Sequence, residues 1–208
     1  NHHAQYSSDN IDTYTEYSGI RYRGLDRGDF TSRNYFKFSF LPEYNLELDS
    51  ADSIVLKAGA SWDDTNRNSS EISPIFRITR LKTFDENSFS ETYVGYSQTS
   101  QVVGYTAIGG NDTGGLFRSN HNLDRETSKT IEFGHFLKTD DWKIDSSIFY
   151  RWDDDLTDWT YFAGDVNRTA NPVDTKTFGF ELIASRQWKN LELITSYSYL
   201  KKKEDYKK

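Results

Sequence analysis

The chain has 208 residues, a formal net charge of −7 and no cysteine, which argues against a nucleic-acid partner and excludes disulfide or thiolate chemistry. Mean hydropathy is −0.80 and 35% of residues are hydrophobic, yet 16% are aromatic. No window approaches the ~18 consecutive apolar residues of a transmembrane helix, a test that is blind to strands showing only every second residue to lipid.

Strand-like segments follow one another along the chain, and nothing is convincingly helical. Residues 3–7 form a short opening piece, and residues 13–23 are Tyr-rich with imperfect alternation. Residues 35–48 alternate throughout: Phe36, Phe38, Phe40, Pro42, Tyr44, Leu46 and Leu48 against Lys37, Ser39, Glu43, Asn45 and Glu47. A period of two puts the two sets on opposite faces of a strand. Pro42 removes a ladder donor and so marks a bulge, an edge or a break. Ile54, Leu56, Ala58, Ala60 and Trp62 alternate in the next segment, and residues 72–81 and 89–99 do so more weakly. Residues 129–137, 142–152, 178–188 and 191–200 complete a set of about ten strands, close to the ~9–11 residues each needs to cross a bilayer.

The segment at 142–152 sets the scale. Trp142, Ile144, Ser146, Ile148, Tyr150 and Trp152 share one face; Lys143, Asp145, Ser147, Phe149 and Arg151 share the other. The two Trp residues stand roughly 33 Å apart at ~3.3 Å per residue. Tilted by ~40°, that projects to about 25 Å, the height of the apolar band of an outer-membrane barrel with an aromatic girdle on each rim. Trp62, Trp142, Trp152, Phe178, Trp188 and Tyr199 are the girdle candidates.

Connections alternate between short and long. Residues 49–53, 138–141 and 189–190 are short, and 82–88 is intermediate; 24–34 and 63–71 are long, and 100–128 and 153–177 are very long. An up-and-down barrel sorts its loops this way, with tight turns on the periplasmic rim and large loops outside. The lysine-rich residues 201–208 read as the start of another loop.

Loops on a rigid scaffold concentrate binding residues. Tyr105, Phe117, Trp159, Tyr161 and Phe162 suit two roles, gripping a bulky ligand or folding the loops against one another. His121 is a further ligand-contact candidate in the longest loop. Asp153, Asp154, Asp155 and Asp158 offer a calcium-like carboxylate cluster, but without the spacing of a Ca²⁺ loop they read as a solvated acidic rim. His2, His3, His121 and His135 lack metal-ligand spacing. No catalytic constellation stands out, and neither an enzyme nor a cofactor is expected.

Residues 119–134, SNHNLDRETSKTIEFG, resemble the N-x-x-L-x-x-E-T-S-x-x-x-E-x-G signature of TonB-dependent outer-membrane receptors, through Asn122, Leu123, Glu126, Thr127, Ser128, Glu132 and Gly134. Arg125 stands where that family usually has proline. Thr177, Gly179 and Glu181 resemble its T-x-G-x-E, and Leu191, Leu193, Ser196, Tyr197, Tyr199 and Leu200 its L-x-L-x-x-S-Y-x-Y-L. Ala58 to Asp64 with Ser73 and Pro74 resemble an upstream pair of strands, and Tyr93 to Thr99 a further one. The resemblance is strongest over residues 119–200 and loose before Ile54. It implies an all-β, antiparallel up-and-down transmembrane barrel of ~22 strands, of which residues 1–208 form one open, curved, partial barrel domain. It places the plug, the TonB box and the final strand outside this sequence. It implies residence in the bacterial outer membrane, contact with outer-membrane lipid and with the TonB complex, and energy-coupled import of a scarce large ligand such as an iron–siderophore, a cobalamin or a glycan. A general porin or small complete barrel is the alternative, followed by a soluble β-sandwich that binds carbohydrate. The direction of the apolar face separates them: a sandwich buries it between two sheets, and a membrane barrel leaves it uncovered.

Overall fold

A computed structural model describes residues 2–10, 14–17, 20–23, 32–65, 68–104, 107, 116–120, 122–161 and 163–207, with side chains from residue 35 onward. The strands are β1 (His2–Asn10), β2 (Tyr14–Tyr17), β3 (Ile20–Arg23), β4 (Ser32–Phe40), β5 (Glu43–Asp49), β6 (Asp52–Thr65) and β7 (Glu71–Thr83). They continue as β8 (Phe89–Gln101), β9 (Phe117–Arg118), β10 (Glu126–Lys138), β11 (Trp142–Thr160), β12 (Arg168–Trp188) and β13 (Leu191–Tyr206). One sheet runs β1-β4-β6-β7-β8-β10-β11-β12-β13, with β5 also on β6 and β9 also on β12, and it does not close on itself. Every pairing in it is antiparallel except that of the two-residue β9.

The alternation read from sequence becomes a pair of rows running across the sheet. Tyr44, Leu56, Ile78, Val94, Phe133, Ile148, Phe180 and Tyr199 are successive cross-strand partners, all apolar or aromatic. One residue along each strand, on the opposite face, the row reads Asn45, Val55, Thr79, Tyr93, Gly134, Ser147, Glu181 and Ser198. The apolar face is uncovered: Val94, Phe133, Ile148 and Tyr199 are 41–49% exposed. A β-sandwich would bury that face, so the sandwich expectation fails on it.

The polar face is held by side chains lying across neighbouring strands. The Tyr93 ring crosses Gly134, where a Cβ would come within 2.3 Å of it. Its hydroxyl donates to Glu132 at 2.6 Å. The Arg77 guanidinium stacks 3.6 Å from the Tyr93 centroid and bonds Glu91 at 2.9 Å. Phe149 uses the gap at Gly179 in the same way.

Four sequence expectations change. Residues 13–23 form a two-stranded hairpin, β2 with β3, and not one strand. The opening strand extends from His2 to Asn10, because β4 gives each of those residues a partner. Residues 35–48 break at Leu41 and Pro42, and both halves, β4 and β5, pair with β6. There the chains approach so closely that a Cβ on Gly59 would lie 2.0 Å from the Phe40 carbonyl oxygen. The largest change concerns residues 153–177, expected to be mostly loop: β11 runs on to Thr160 and β12 begins at Arg168, leaving 161–167 as the connection. The alternating apolar signal stops where the hairpin clears the band set by the two Trp residues, but the backbone ladder does not.

Candidate ligand site at the long-loop rim

The strand ends that flank the long connections, Thr65 and Glu71, Gln101 and Glu126, and Thr160 and Arg168, lie at one rim; the tight turns at 50–51, 84–88, 139–141 and 189–190 lie at the other. At the long-loop rim the β11–β12 hairpin is bent by a bulge between Asp153 and Leu156. Asp155 takes a φ of 58° there, a left-handed conformation that Asp tolerates better than most residues. Its N–H donates to Asp174 at 2.9 Å, replacing the lost ladder bond.

Among the described residues, 102–104, 107, 116–120 and 122–125 form a strap across this hairpin. The strap leaves β8, and its β9 segment pairs in parallel with β12, skipping β10 and β11 (Phe117 with Arg168, Arg118 with Thr169). The Arg168 N–H donates to the Leu116 carbonyl at 2.7 Å. Val103, Ala107 and Leu123 from the strap bury Ala170 of β12, with Trp159 packed against them. Phe117 meets Trp159 edge-on at 5.3 Å. These are most of the buried apolar side chains among the described residues, so the small core of this chain sits at the rim and not within the wall.

The strap ends in a buried ion pair. Arg125 bonds Asp63 through Nη1, and the two side chains are 7% and 0% exposed. Its Nε donates to the Ser69 carbonyl at 3.0 Å, and Nη1 also reaches Ser100 Oγ at 3.2 Å. One guanidinium therefore joins β6, the 66–70 connection, β8 and the strap. Sequence alone missed this pair; the signal was the Arg in the family's proline position, whose partner lies 62 residues away.

The acidic run at 153–158 is dispersed among different partners. Asp153 is buried on the polar face, taking bonds from Ser128, from Thr175 at 2.7 Å and from Arg151 at 2.6 Å. Asp154 takes Lys129 at 2.9 Å, Asp155 takes Lys207 at 2.7 Å and Asp158 takes the Tyr206 hydroxyl at 3.0 Å. Among the described residues, no group of three or more His, Cys, Asp or Glu is arranged to hold a metal ion.

A pocket of about 730 Å³ opens at this rim, lined by Asp158, Trp159, Thr160, Tyr161, Asn171, Tyr206 and Lys207. Of the sequence-based ligand candidates, Trp159 and Tyr161 line it, and Phe117 stands behind Trp159; Tyr105, His121 and Phe162 lie outside the described residues. Trp159 is committed to the strap, whereas Tyr161 is exposed, with the Arg168 guanidinium 5.7 Å from its ring centroid. Tyr206 and Lys207 went unread because the lysine-rich tail looked like loop; Lys176, Asp174 and Val173 pair with its residues and carry β13 to Tyr206. The hydrogen bonds to Asp158 and Glu204 push the Tyr206 phenol up to about 12. The bond to Asp155, aided by Asp174, raises Lys207 against the effect of its partial burial. Burial pushes Asp174 upward, but the Asp155 N–H and the Lys207 ammonium outweigh it and hold the carboxyl below its ordinary value. The floor of the pocket is thus an ordered set of charge-assisted bonds, and its walls are aromatic.

A family model described as TonB dependent receptor-like, beta-barrel, matches residues 1–208. A sequence search of curated proteins finds no match. Among solved structures, the chain resembles the FrpB iron transporter from Neisseria meningitidis (TM-score 0.56, 15% identity, 84% of this chain and 27% of that one). It resembles the siderophore receptor PirA from Pseudomonas aeruginosa (TM-score 0.57, 18% identity, 84% and 35%) and the copper transporter OprC (TM-score 0.54, 14% identity, 81% and 30%). At these identities the likeness concerns the fold, and the chain spans about a third of each structure.

Proposed function

Because the chain belongs to the TonB-dependent receptor-like β-barrel family, we propose that it supplies part of the wall and outer loops of an outer-membrane receptor that imports a scarce, bulky ligand by energy-coupled uptake. The observation that carries this is the apolar row of eight strands left uncovered beside a polar row. In water such a face is an aggregation hazard; in a bilayer it is the required surface, since a spanning sheet satisfies its backbone through the ladder and presents only side chains to lipid. Trp62, Trp152, Phe178 and Tyr199 serve as the outer girdle and Trp142 and Trp188 as the periplasmic one.

The pocket at the long-loop rim supports a first contact for the ligand. Tyr161 and Tyr206 offer ring faces, and Arg168 adds a cation beside them. Ring-rich, anionic ligands suit this surface, so an iron–siderophore chelate is favoured over a cobalamin or a neutral glycan. TonB would act through the rest of the receptor. Two measurements test the reading. In outer-membrane vesicles holding the full-length receptor, a cysteine at Ser147 should react with a water-soluble maleimide and one at Ile148 should not; equal labelling rules out the spanning sheet. Cells carrying the receptor should accumulate radiolabelled iron from a catecholate or hydroxamate siderophore, with uptake abolished by a protonophore; uptake of neither rejects the ligand class while leaving the wall intact.

A further inference from the structure

Arg186 interrupts the apolar face. By register it stands between Trp142 on β11 and Leu193 on β13, on the side that carries Ala184, Leu182 and Phe180. Its guanidinium is 5.0 Å from the Trp142 ring and 4.6 Å from the Trp188 ring. Both indoles are about 40% exposed, and Leu193 opposite is 56% exposed, so the group sits on the surface assigned above to lipid. It lies beside the tight turns at 139–141 and 189–190, at the periplasmic end of the sheet.

A cation among apolar side chains needs a compensating anion. The indole rings answer part of that need, but they take the face of the guanidinium and leave its N–H edges free. Nε is buried and has no hydrogen-bond partner. Among the described ion pairs no carboxylate pairs with Arg186. The nearby Asp141 engages β12 through its backbone, its carbonyl accepting the Gln187 N–H at 2.9 Å. Arg186 lies two residues inside Trp188, roughly 5 Å in depth at ~3.3 Å per residue and ~40° tilt. Its side chain spans that depth and returns its charge to the headgroup level. A planar fork of N–H donors at that level, with an indole within about 5 Å on each of two strands, matches the paired oxygens of a phosphodiester.

We propose that Trp142, Arg186 and Trp188 form a binding site for the headgroup of an anionic glycerophospholipid in the periplasmic leaflet. The lipid phosphate accepts from the Nη edges of Arg186, and the acyl chains run along Ile144, Ala184 and Leu193. A zwitterionic lipid binds less well, because its own ammonium competes for the phosphate. The proposal rests on the membrane reading of this face, and the experiment separates the two.

Full-length receptor in detergent is titrated with brominated phosphatidylglycerol or brominated phosphatidylcholine. Tryptophan quenching is recorded, and the signal of a Trp142→Phe, Trp188→Phe variant is subtracted to isolate the two indoles. The expected result is quenching by both lipids, with phosphatidylglycerol half-saturating at roughly five- to ten-fold lower concentration, the scale of one hydrogen bond's net contribution. Arg186→Gln reduces that preference to within two-fold while the receptor still folds, as read from the rest of its tryptophan emission. Arg186→Lys, which keeps charge but loses the planar fork, retains an intermediate preference. Quenching without preference, or a preference that survives in Arg186→Gln, overturns the headgroup site and leaves the membrane face standing. Absence of quenching by either lipid overturns both.

Discussion

Replacing Arg125 with Met in the full-length receptor should open the strap while leaving the wall in place. The substitution keeps most of the side-chain volume and removes the only ion-pair partner of Asp63 among the described residues, stranding a carboxylate that is 0% exposed. Removing one partner of a buried pair costs about 3–5 kcal/mol, most of it the penalty of the uncompensated charge. The wall does not rely on this contact, since β6, β7, β8 and β10 are laddered along their lengths. The loss should therefore appear as local opening of residues 102–125. At about 1.4 kcal/mol per decade, 3 kcal/mol corresponds to roughly a hundred-fold larger open population. Limited proteolysis from outside intact cells measures that population when reclosing outpaces cleavage. Cleavage within the strap should accelerate about a hundred-fold in Arg125→Met, and the Asp63→Asn, Arg125→Met double variant should recover more than half of the protection. Cleavage within three-fold of wild type, or a double variant no better than the single, would refute the role given to this pair.

Other outcomes follow from the two faces and the rim. Ile148→Arg, on the uncovered face, should lower unfolding stability in lipid vesicles by about 2–4 kcal/mol, whereas Ser147→Arg, one residue along, should change it by under ~1 kcal/mol; urea titration checks both. Gly59→Ala should cost about 1–3 kcal/mol in the same assay, because the new Cβ meets the Phe40 backbone, which cannot rotate away as a side chain would. The Asp155 N–H and the Lys207 ammonium hold the Asp174 carboxyl below its ordinary pKa, so its contribution is present above the ordinary value and fades as pH falls through the lower, folded one. Asp174→Asn should therefore expose the end of β13 to hydrogen exchange at pH 6, and the difference from wild type should shrink as pH falls below the ordinary carboxylate range.

Sequence was most informative where polarity alternates along a strand. Between Trp142 and Trp152 polarity alternates residue by residue, so the two faces could be read from WKIDSSIFYRW. Past Trp152 that alternation ends. Residues 153–160 show no alternation of polarity, although Asp153 and residues from Leu156 onward remain laddered to β12. The aromatic residues of the loops were open to two roles; Trp159 and Phe117 pack against each other, and Tyr161 keeps an exposed ring. The contacts that organise the rim were illegible for a different reason. Asp63 with Arg125, and Phe117 with Arg168, are encounters between distant residues that no local pattern announces. The Tyr93 hydroxyl and Glu132 likewise meet across strands whose pairing had first to be known.

The strap also makes one contact depend on several others. Successive hairpins let the wall grow by adding each strand to the one before it, and β8 can receive β10 as soon as both are made. Residues 102–125 lie between those two strands, yet Ala170 and Arg168, on which they settle, belong to β12. Its docking therefore depends on β10, β11 and β12 being in place, because only that run of pairings brings β12 to the strap. The wall is held by pairing between neighbours, while the rim is held by a contact that skips two strands.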